Sequence, residues 1–316
     1  IYRSRGRSYR ELPLRLAELG GMYRAELSGV LGGLTRVRAI QLNDAHIFCP
    51  LDQVAAEASA ALDMIHATYR ALGVRPVSYR LSLPGPGEKY VEDPQMWERA
   101  VGLLASVLES AGVPYEEAAG EAAFYGPKID VQVADEAGRE ASMSTIQVDF
   151  YMPAQFGLYY VGPDGARRRP VMVHRSIVGS MERAIAHLIE VHGGAFPPWL
   201  APVQLVIMPV SEAELGPAGE LRQQAAGRGL RVQVSRPELR SLGARIRAAR
   251  LVPYQAVIGP SEAAAGQVAL RLRDGRRLDP RPAGDALARI AALIDAHHAG
   301  VWEEEIEQQR GRLPVS

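Results

Sequence analysis

A single cysteine, Cys49, occurs in 316 residues, which excludes an internal disulfide and fits a reducing cytoplasm. Neither sign of charge is in excess, since 36 Lys and Arg balance 36 Asp and Glu. No global field therefore draws the chain to a polyanion, and any basic face has to be local. No apolar run approaches the roughly 18 to 20 residues of a membrane span. The arginine-rich start, residues 1–10, lacks the apolar stretch of a secretory signal. Internal repeats are absent as well. What is present is ordinary for a soluble globular protein, 47% hydrophobic and 23% charged, and long enough for two domains.

Residues 1 to about 195 mix strands and helices. Residues 22–26 and 39–49 read as strands around a Gly- and Arg-bearing loop, 27–38. Residues 52–72 are helical, with Ala55, Ala58, Leu62 and Ile65 recurring on one face. A strand at 77–83 precedes a helix opened by Asp93-Pro94. Strands at 128–134, 142–151 and 170–175 follow, the last leading through Gly179 into a helix at 180–191. Hairpin-type turns between these strands indicate a largely antiparallel sheet. A break falls at Gly193-Gly194-Ala195-Phe196-Pro197-Pro198-Trp199. Beyond it, strands at 203–208, 230–234, 254–259 and 268–273 alternate with helices at 217–226, 242–250 and 283–297, the pattern of a small α/β domain. The charged end, residues 301–312, reads as a helix or a disordered tail.

The chemically dense stretch runs from Arg24 to Cys49. Arg24 and Glu26 are two apart on an expected strand and so share a face. Such a pair can be a structural ion pair, but here the loop adds Arg36 and Arg38 and the returning strand carries Asp44 and His46 on one face. Cationic and metal-capable groups converging on one sheet face are costly unless a charged ligand sits among them.

Arg24-Ala25-Glu26, a loop, and Arg36-Val37-Arg38 resemble motif 2 of class II aminoacyl-tRNA synthetases. Asp44-Ala45-His46-Ile47-Phe48-Cys49 is similar to a run characteristic of the threonyl members. Ser8-Tyr9-Arg10-Glu11-Leu12-Pro13-Leu14-Arg15, Phe124-Tyr125-Gly126-Pro127-Lys128 and Val171-Met172-Val173-His174-Arg175 resemble the same family, and Gly179-Ser180-Met181-Glu182-Arg183 resembles motif 3. The likeness is collinear over nearly the whole chain. It implies an α+β class II antiparallel sheet with helices at residues 1–199, lacking its N-terminal part. An α/β anticodon-binding domain at 200–300 and a tail at 301–316 follow. The implied activity is ATP-dependent activation of threonine and its transfer to the 3′ end of tRNA, in a cytoplasmic homodimer.

Adenylate formation brings two anions together, so the protein must supply positive charge where negative charge accumulates. By chemistry and by likeness, Arg24 suits a bridge between the α-phosphate and the amino-acid carboxylate, because a guanidinium offers forked donors. Glu26 would accept from the adenine amino group, and Arg36 would meet the outer phosphates with Mg2+. Arg183 would clamp the γ-phosphate or stack on adenine, with Gln147 and Ser180 also at the nucleotide. Valine nearly matches threonine in shape, and an apolar pocket rejects such a mimic by only about 100-fold. The family is known for a zinc ion that binds the substrate's amino and hydroxyl groups together. His46 and His174 match its two histidine ligands. Asp44 would accept from the hydroxyl, and Tyr125 would line the amino side. The third ligand, a cysteine, would precede Ile1, as would motif 1 and any editing domain, so the chain is expected to be a fragment. In the second domain Arg236, Arg240 and Arg245, with Arg247 and Arg250, form a basic cluster suited to tRNA phosphate.

Four positions depart from the family pattern. Ile40 stands where a phenylalanine stacks on adenine, Leu42 and Ser142 replace glutamines, and Gly32 replaces a histidine. The charged and metal-binding groups are spared, which favours a working enzyme. The alternatives are a divergent paralogue serving another pathway or tolerating an inhibitor, and a non-catalytic RNA-binding protein.

Overall fold

The computed structural model describes residues 1–302, so most of the charged end lies outside the described residues. The chain divides into two compact units between Val191 and His192. In the first, β1 (Leu14–Tyr23), β2 (Ala39–Cys49), α1 (Val54–Leu72), β3 (Ser78–Leu83), α2 (Pro94–Ser110) and β4 (Glu116–Ala119) come first. They are followed by β5 (Lys128–Ala134), β6 (Glu140–Asp149), α3 (Tyr151–Gln155), β7 (Tyr160–Val161), β8 (Arg167–Arg168), β9 (Val171–Ser176) and α4 (Met181–Val191). Seven strands form one sheet in the order β1-β2-β9-β6-β5-β3-β4. Every neighbouring pair is antiparallel except β3 and β4. A hairpin of β7 and β8 stands apart.

Alternation decides the two faces of this sheet. Ile47, Leu81, Ile129, Ile146 and Val173 are fully or almost fully buried, on the side where α1 and α2 pack. Helix α1 presents Ala58, Leu62, Ile65 and Tyr69 at helical spacing, all buried, and stops at Gly73 with φ 71°. Helix α2 begins with Pro94 in its first turn, and the Asp93 carboxylate accepts from the Met96 N–H. The residues between the apolar ones in sequence point to the other face, and there the polar groups collect.

Several elements differ from expectation. The first strand covers Leu14–Tyr23 and not 22–26. Past Tyr23 the Arg24 N–H still pairs with Arg38 O at 2.8 Å, but the Glu26 N–H turns back onto Arg24 O. Arg24 and Glu26 therefore stand on a turn. Strand β6 ends at Asp149, two residues early, because the Asp149 carboxylate accepts from the N–H groups of Tyr151 and Met152 and starts α3. Strand β4 and the β7–β8 hairpin are too short for a period to be read.

The second unit holds β10 (Leu205–Pro209), α5 (Leu215–Gly227), β11 (Val232–Val234), α6 (Leu242–Ala248), β12 (Tyr254–Ile258), α7 (Pro260–Ala265), β13 (Gln267–Leu272), β14 (Arg281–Pro282) and α8 (Ala283–Asp295). Its sheet runs β11-β10-β12-β13-β14, parallel through the first three strands and antiparallel after them. Leu205, Ile207, Tyr254, Ile258, Leu287 and Ile290 belong to its core. Helix α8 stops at Asp295, short of residue 297, and His297 takes a left-handed φ of 49°.

Candidate active site

The strand register assembles the site. On the face away from α1 and α2, His46 of β2 lies opposite His174 of β9, His174 opposite Gln147 of β6, and Gln147 opposite Lys128 of β5. One row thus crosses four strands. A second row, two residues along, takes Ser176 to Thr145 and Thr145 to Asp130, with Asp44 two residues before His46. Directly opposed residues share a face, so these side chains meet over the centre of the sheet. They line a cavity of about 550 Å³, which also receives Arg24, Glu26, Arg36, Tyr125, Ser180 and Arg183. The ten residues expected at an ATP, threonine or metal site therefore share one space.

The loop of residues 27–38 and the start of α4 close one end. Arg36 directs Nε and Nη2 at a single oxygen of Glu26, Oε2, at 3.0 Å each. No further bond of the Glu26 carboxylate is made among the described residues, which leaves Oε1 available as an acceptor. Arg38 Nε donates to Glu26 O at 3.0 Å, and Arg183 Nε donates to Thr35 O at 2.8 Å. The loop is thus tied to α4, and the guanidinium groups of Arg36 and Arg183 are brought to one wall. Ser180 Oγ accepts from the Arg183 N–H at 3.3 Å. Before it, Gly179 has φ +64°, and a Cβ there would stand 2.8 Å from Met143 O. Only glycine turns β9 into α4 this closely.

At the opposite end the two histidine rings are 4.7 Å apart, centroid to centroid, and nearly edge to face. His174 Nε2 donates to Asp149 Oδ2 at 2.9 Å. Asp149 is fully buried and its other oxygen accepts two backbone N–H groups, so the His174 ring is held firmly. Burial, then the neighbouring His174, lowers the pKa of His46 below the usual histidine value. Two adjoining imidazoles, one of them oriented by a carboxylate at one ring nitrogen, are what a zinc site needs from its histidines. No cluster of three or more His, Cys, Asp and Glu side chains suited to a metal occurs among the described residues. The residues present fit two ligand positions. Cys49 is buried on the other face, and burial pushes its thiol up to about 12.

Tyr125 donates to Gln147 Oε1 at 2.7 Å, with its ring 5.2 Å from that of His174. Burial, with Asp149 and Asp44 nearby, pushes its phenol up to about 12, so it acts as a neutral donor. Asp44 Oδ2 stands 3.9 Å from His46 Nδ1. Ile40, Leu42 and Ser142 also line the cavity. Lys128 and Asp130 complete it, with Asp149 buried behind His174, and none of the three was expected there. Lys128 pairs with Asp130, which also accepts from Ser82 Oγ at 2.6 Å. Their signal is positional: Asp130 is two residues after Lys128 on one strand, and Asp149 two after Gln147 on another.

In the second unit Arg236, Arg240, Arg247 and Arg250 are exposed. Arg245, expected among the RNA-contacting residues, is buried at 4% exposure and donates to Ser235 O and Val210 O. It ties α6 to the sheet and is withdrawn from the basic surface.

Residues 1–192 match the family described as the tRNA synthetase class II core domain (G, H, P, S and T), and residues 204–293 match an anticodon binding domain. The threonine–tRNA ligase of Geobacillus sp. (strain WCH70) is 44% identical over 299 residues, 93% of this chain and 46% of that protein. That of Lactobacillus acidophilus is 49% identical over 276 residues, 86% of this chain and 43% of that protein. The chain thus spans less than half the length of these relatives. A crystal structure of the RNA binding domain of threonyl-tRNA synthetase from Cryptosporidium parvum Iowa II superposes with TM-score 0.85 at 34% identity, covering 96% of this chain and 75% of that one. Prolyl-tRNA synthetase from Cryptosporidium parvum, complexed with L-proline and AMP, superposes at 0.68 with 16% identity, covering 98% and 62%, a likeness of fold alone.

Proposed function

We propose that this chain, which belongs to the class II tRNA synthetase family, makes up the activating and tRNA-reading part of a threonine–tRNA ligase. The observation that carries the proposal is the row His46, His174, Gln147 and Lys128 facing one cavity with Arg24, Arg36 and Arg183. A threonine carboxylate and the α-phosphate of ATP repel each other, and three guanidinium groups around one space offset that repulsion as the phosphorane charge develops. Arg24 bridges the two anions. Arg36 and Arg183 receive the outer phosphates together with Mg2+, and Glu26 Oε1 accepts from the adenine amino group. Ser180 and Gln147 orient the nucleotide. Residues 1–199 carry this chemistry, and residues 200–300 read the tRNA, with Arg236 and Arg240 supplying phosphate contacts.

Threonine is selected by Asp44, which accepts from its hydroxyl, and by Tyr125 on its amino side. Zinc held by His46 and His174 with a third ligand from outside the described residues would bind the amino and hydroxyl groups together, a demand that valine cannot meet. Asp149 holds the His174 tautomer that leaves one ring nitrogen open to the metal. Assembly as a cytoplasmic homodimer belongs to the same proposal.

A second reading, a divergent paralogue, draws on Ile40, Leu42 and Ser142, which put apolar or short side chains on the cavity wall. Threonine-dependent ATP–pyrophosphate exchange tests the activation step. Exchange with threonine followed by charging of tRNA supports the ligase. Exchange without charging points to the paralogue, and no exchange overturns both enzymatic readings.

A further inference from the structure

Outside the catalytic cavity, two segments distant in sequence form one basic surface. The Val161 N–H donates to Arg7 O at 2.9 Å, and Ser8 bridges to Val161 in parallel register. Arg3 Nη1 donates to Phe156 O at 3.3 Å. Tyr2, Leu12, Leu158 and Tyr160 share a small buried cluster with Phe48 and Met172, which anchors both segments to the sheet. The surface is therefore a fixed part of the catalytic unit.

Its charges do not cancel. Arg5 and Arg7 are paired to Glu11, and Arg168 to Asp164. Arg10, Arg167 and Arg169 are exposed and have no carboxylate partner among the described residues, while Arg3, also exposed, lines a separate pocket beside His46 and His174. Among the described residues, Asp52 is the one carboxylate lining the adjoining groove of about 680 Å³, where Tyr9, Tyr160, Arg168 and Arg169 also stand. In a chain whose formal net charge is zero, three uncompensated guanidinium groups held on one rigid surface repel each other unless an anion covers them. Two of the three lie beside tyrosine rings: Arg167 is 4.3 Å from the Tyr159 centroid and Arg10 is 5.5 Å from that of Tyr9. Tyr159 is 40% exposed, which leaves ring surface open to a flat partner.

We propose that this surface, made by residues 1–11 and 156–169, binds the sugar–phosphate backbone of RNA. It would be an RNA-binding face separate from the basic residues of the second unit. Arginine forks match phosphate oxygens, and an arginine–tyrosine pair accepts either a phosphate or an unstacked base. The binding is sequence-independent, because nothing on the surface presents a fixed pattern of donors to base edges. That the RNA is tRNA rests on the function proposed above; that the surface binds an RNA backbone does not.

The test is filter binding of a bulk tRNA preparation to the protein and to the triple variant Arg10→Gln/Arg167→Gln/Arg169→Gln, across a salt series. All three side chains are exposed and none lines the catalytic cavity, so folding and ATP–pyrophosphate exchange should be unchanged. Affinity at about 0.15 M salt should fall at least about 10-fold, and the slope of log K against log salt should shrink by about 0.7 to 0.9 for each phosphate that the variant no longer neutralises. Unchanged affinity and slope would overturn the proposal. So would a variant that loses RNA only because it changes oligomeric state in light scattering, since the surface would then be a subunit interface. A wild-type protein that binds RNA through these arginines but shows no threonine-dependent exchange would defeat the ligase reading and leave this one standing.

Discussion

At Glu26 the two bonds from Arg36 fall on one carboxylate oxygen, so the pair can persist while the other oxygen receives a donor. The Arg24 guanidinium lines the cavity and makes no side-chain bond among the described residues, so it can meet a ligand. The variant Arg24→Ala should reduce threonine-dependent ATP–pyrophosphate exchange by at least ~100-fold, the scale for removing one transition-state hydrogen-bond donor, with little effect on thermal unfolding. Near wild-type exchange would mean that Arg24 does not touch the reacting groups. In the proposed zinc site Asp149 would act one step further out, through its bond to His174. Asp149→Asn presents an amide to the ring and should weaken zinc retention by about 10- to 100-fold, measured as zinc remaining after dialysis against a graded chelator. Equal retention would remove Asp149 from the metal's support. Cys49 is fully buried with its thiol raised to about 12, and the thiolate is the reactive form. It should resist alkylation at neutral pH until denaturant is added, and rapid labelling of the native protein would contradict its burial.

Elements owe their close approach to particular glycines. A Cβ on Gly126 would stand 2.0 Å from Val148 O, backbone against backbone, so Tyr125 or β6 would have to move. Gly126→Ala should cost about 1 to 3 kcal/mol, as overpacking does, and should raise KM for threonine because the Tyr125–Gln147 bond is displaced with it. Gly102 is the contrast, in the interior of α2 with nothing within 4 Å of its Cβ position. Gly102→Ala should stabilise by about 0.5 to 1 kcal/mol. Thermal melts of the two variants shifting in the same direction would refute this account of the packing. Element length was readable where a period could repeat: α1 and α2 show three or more turns of one buried face. The β7–β8 hairpin spans two residues per strand, and no period exists in two residues.

For the molecule as a whole, each unit has a core of its own, so damage can be confined to one. Ile290 is fully buried in the second unit. Ile290→Ala should remove about 2 to 5 kcal/mol from that unit, lowering tRNA affinity while leaving ATP–pyrophosphate exchange intact. Loss of exchange in parallel would mean that the two units fold as one. Among the described residues no helix is long and apolar enough to cross a membrane, as the lack of long apolar runs implied. The neutral total charge concealed two local excesses, on the second unit and on the surface of residues 1–11 and 156–169, because a sum over residues carries no positions.

The order of the chain by itself determined the family, the antiparallel character of the first sheet and the ten residues that line one cavity. Those motifs are contiguous, and alternation along a strand fixes which side chains share a face. Only the tertiary structure decided that His46, His174, Gln147 and Lys128 stand in one row, since strand order β2-β9-β6-β5 joins residues far apart in sequence. It also decided that Arg245 is buried, because the carbonyls of Ser235 and Val210 that hold it lie outside its own helix. Register and burial depend on which segments become neighbours, and that is settled by packing the apolar face of the whole sheet at once.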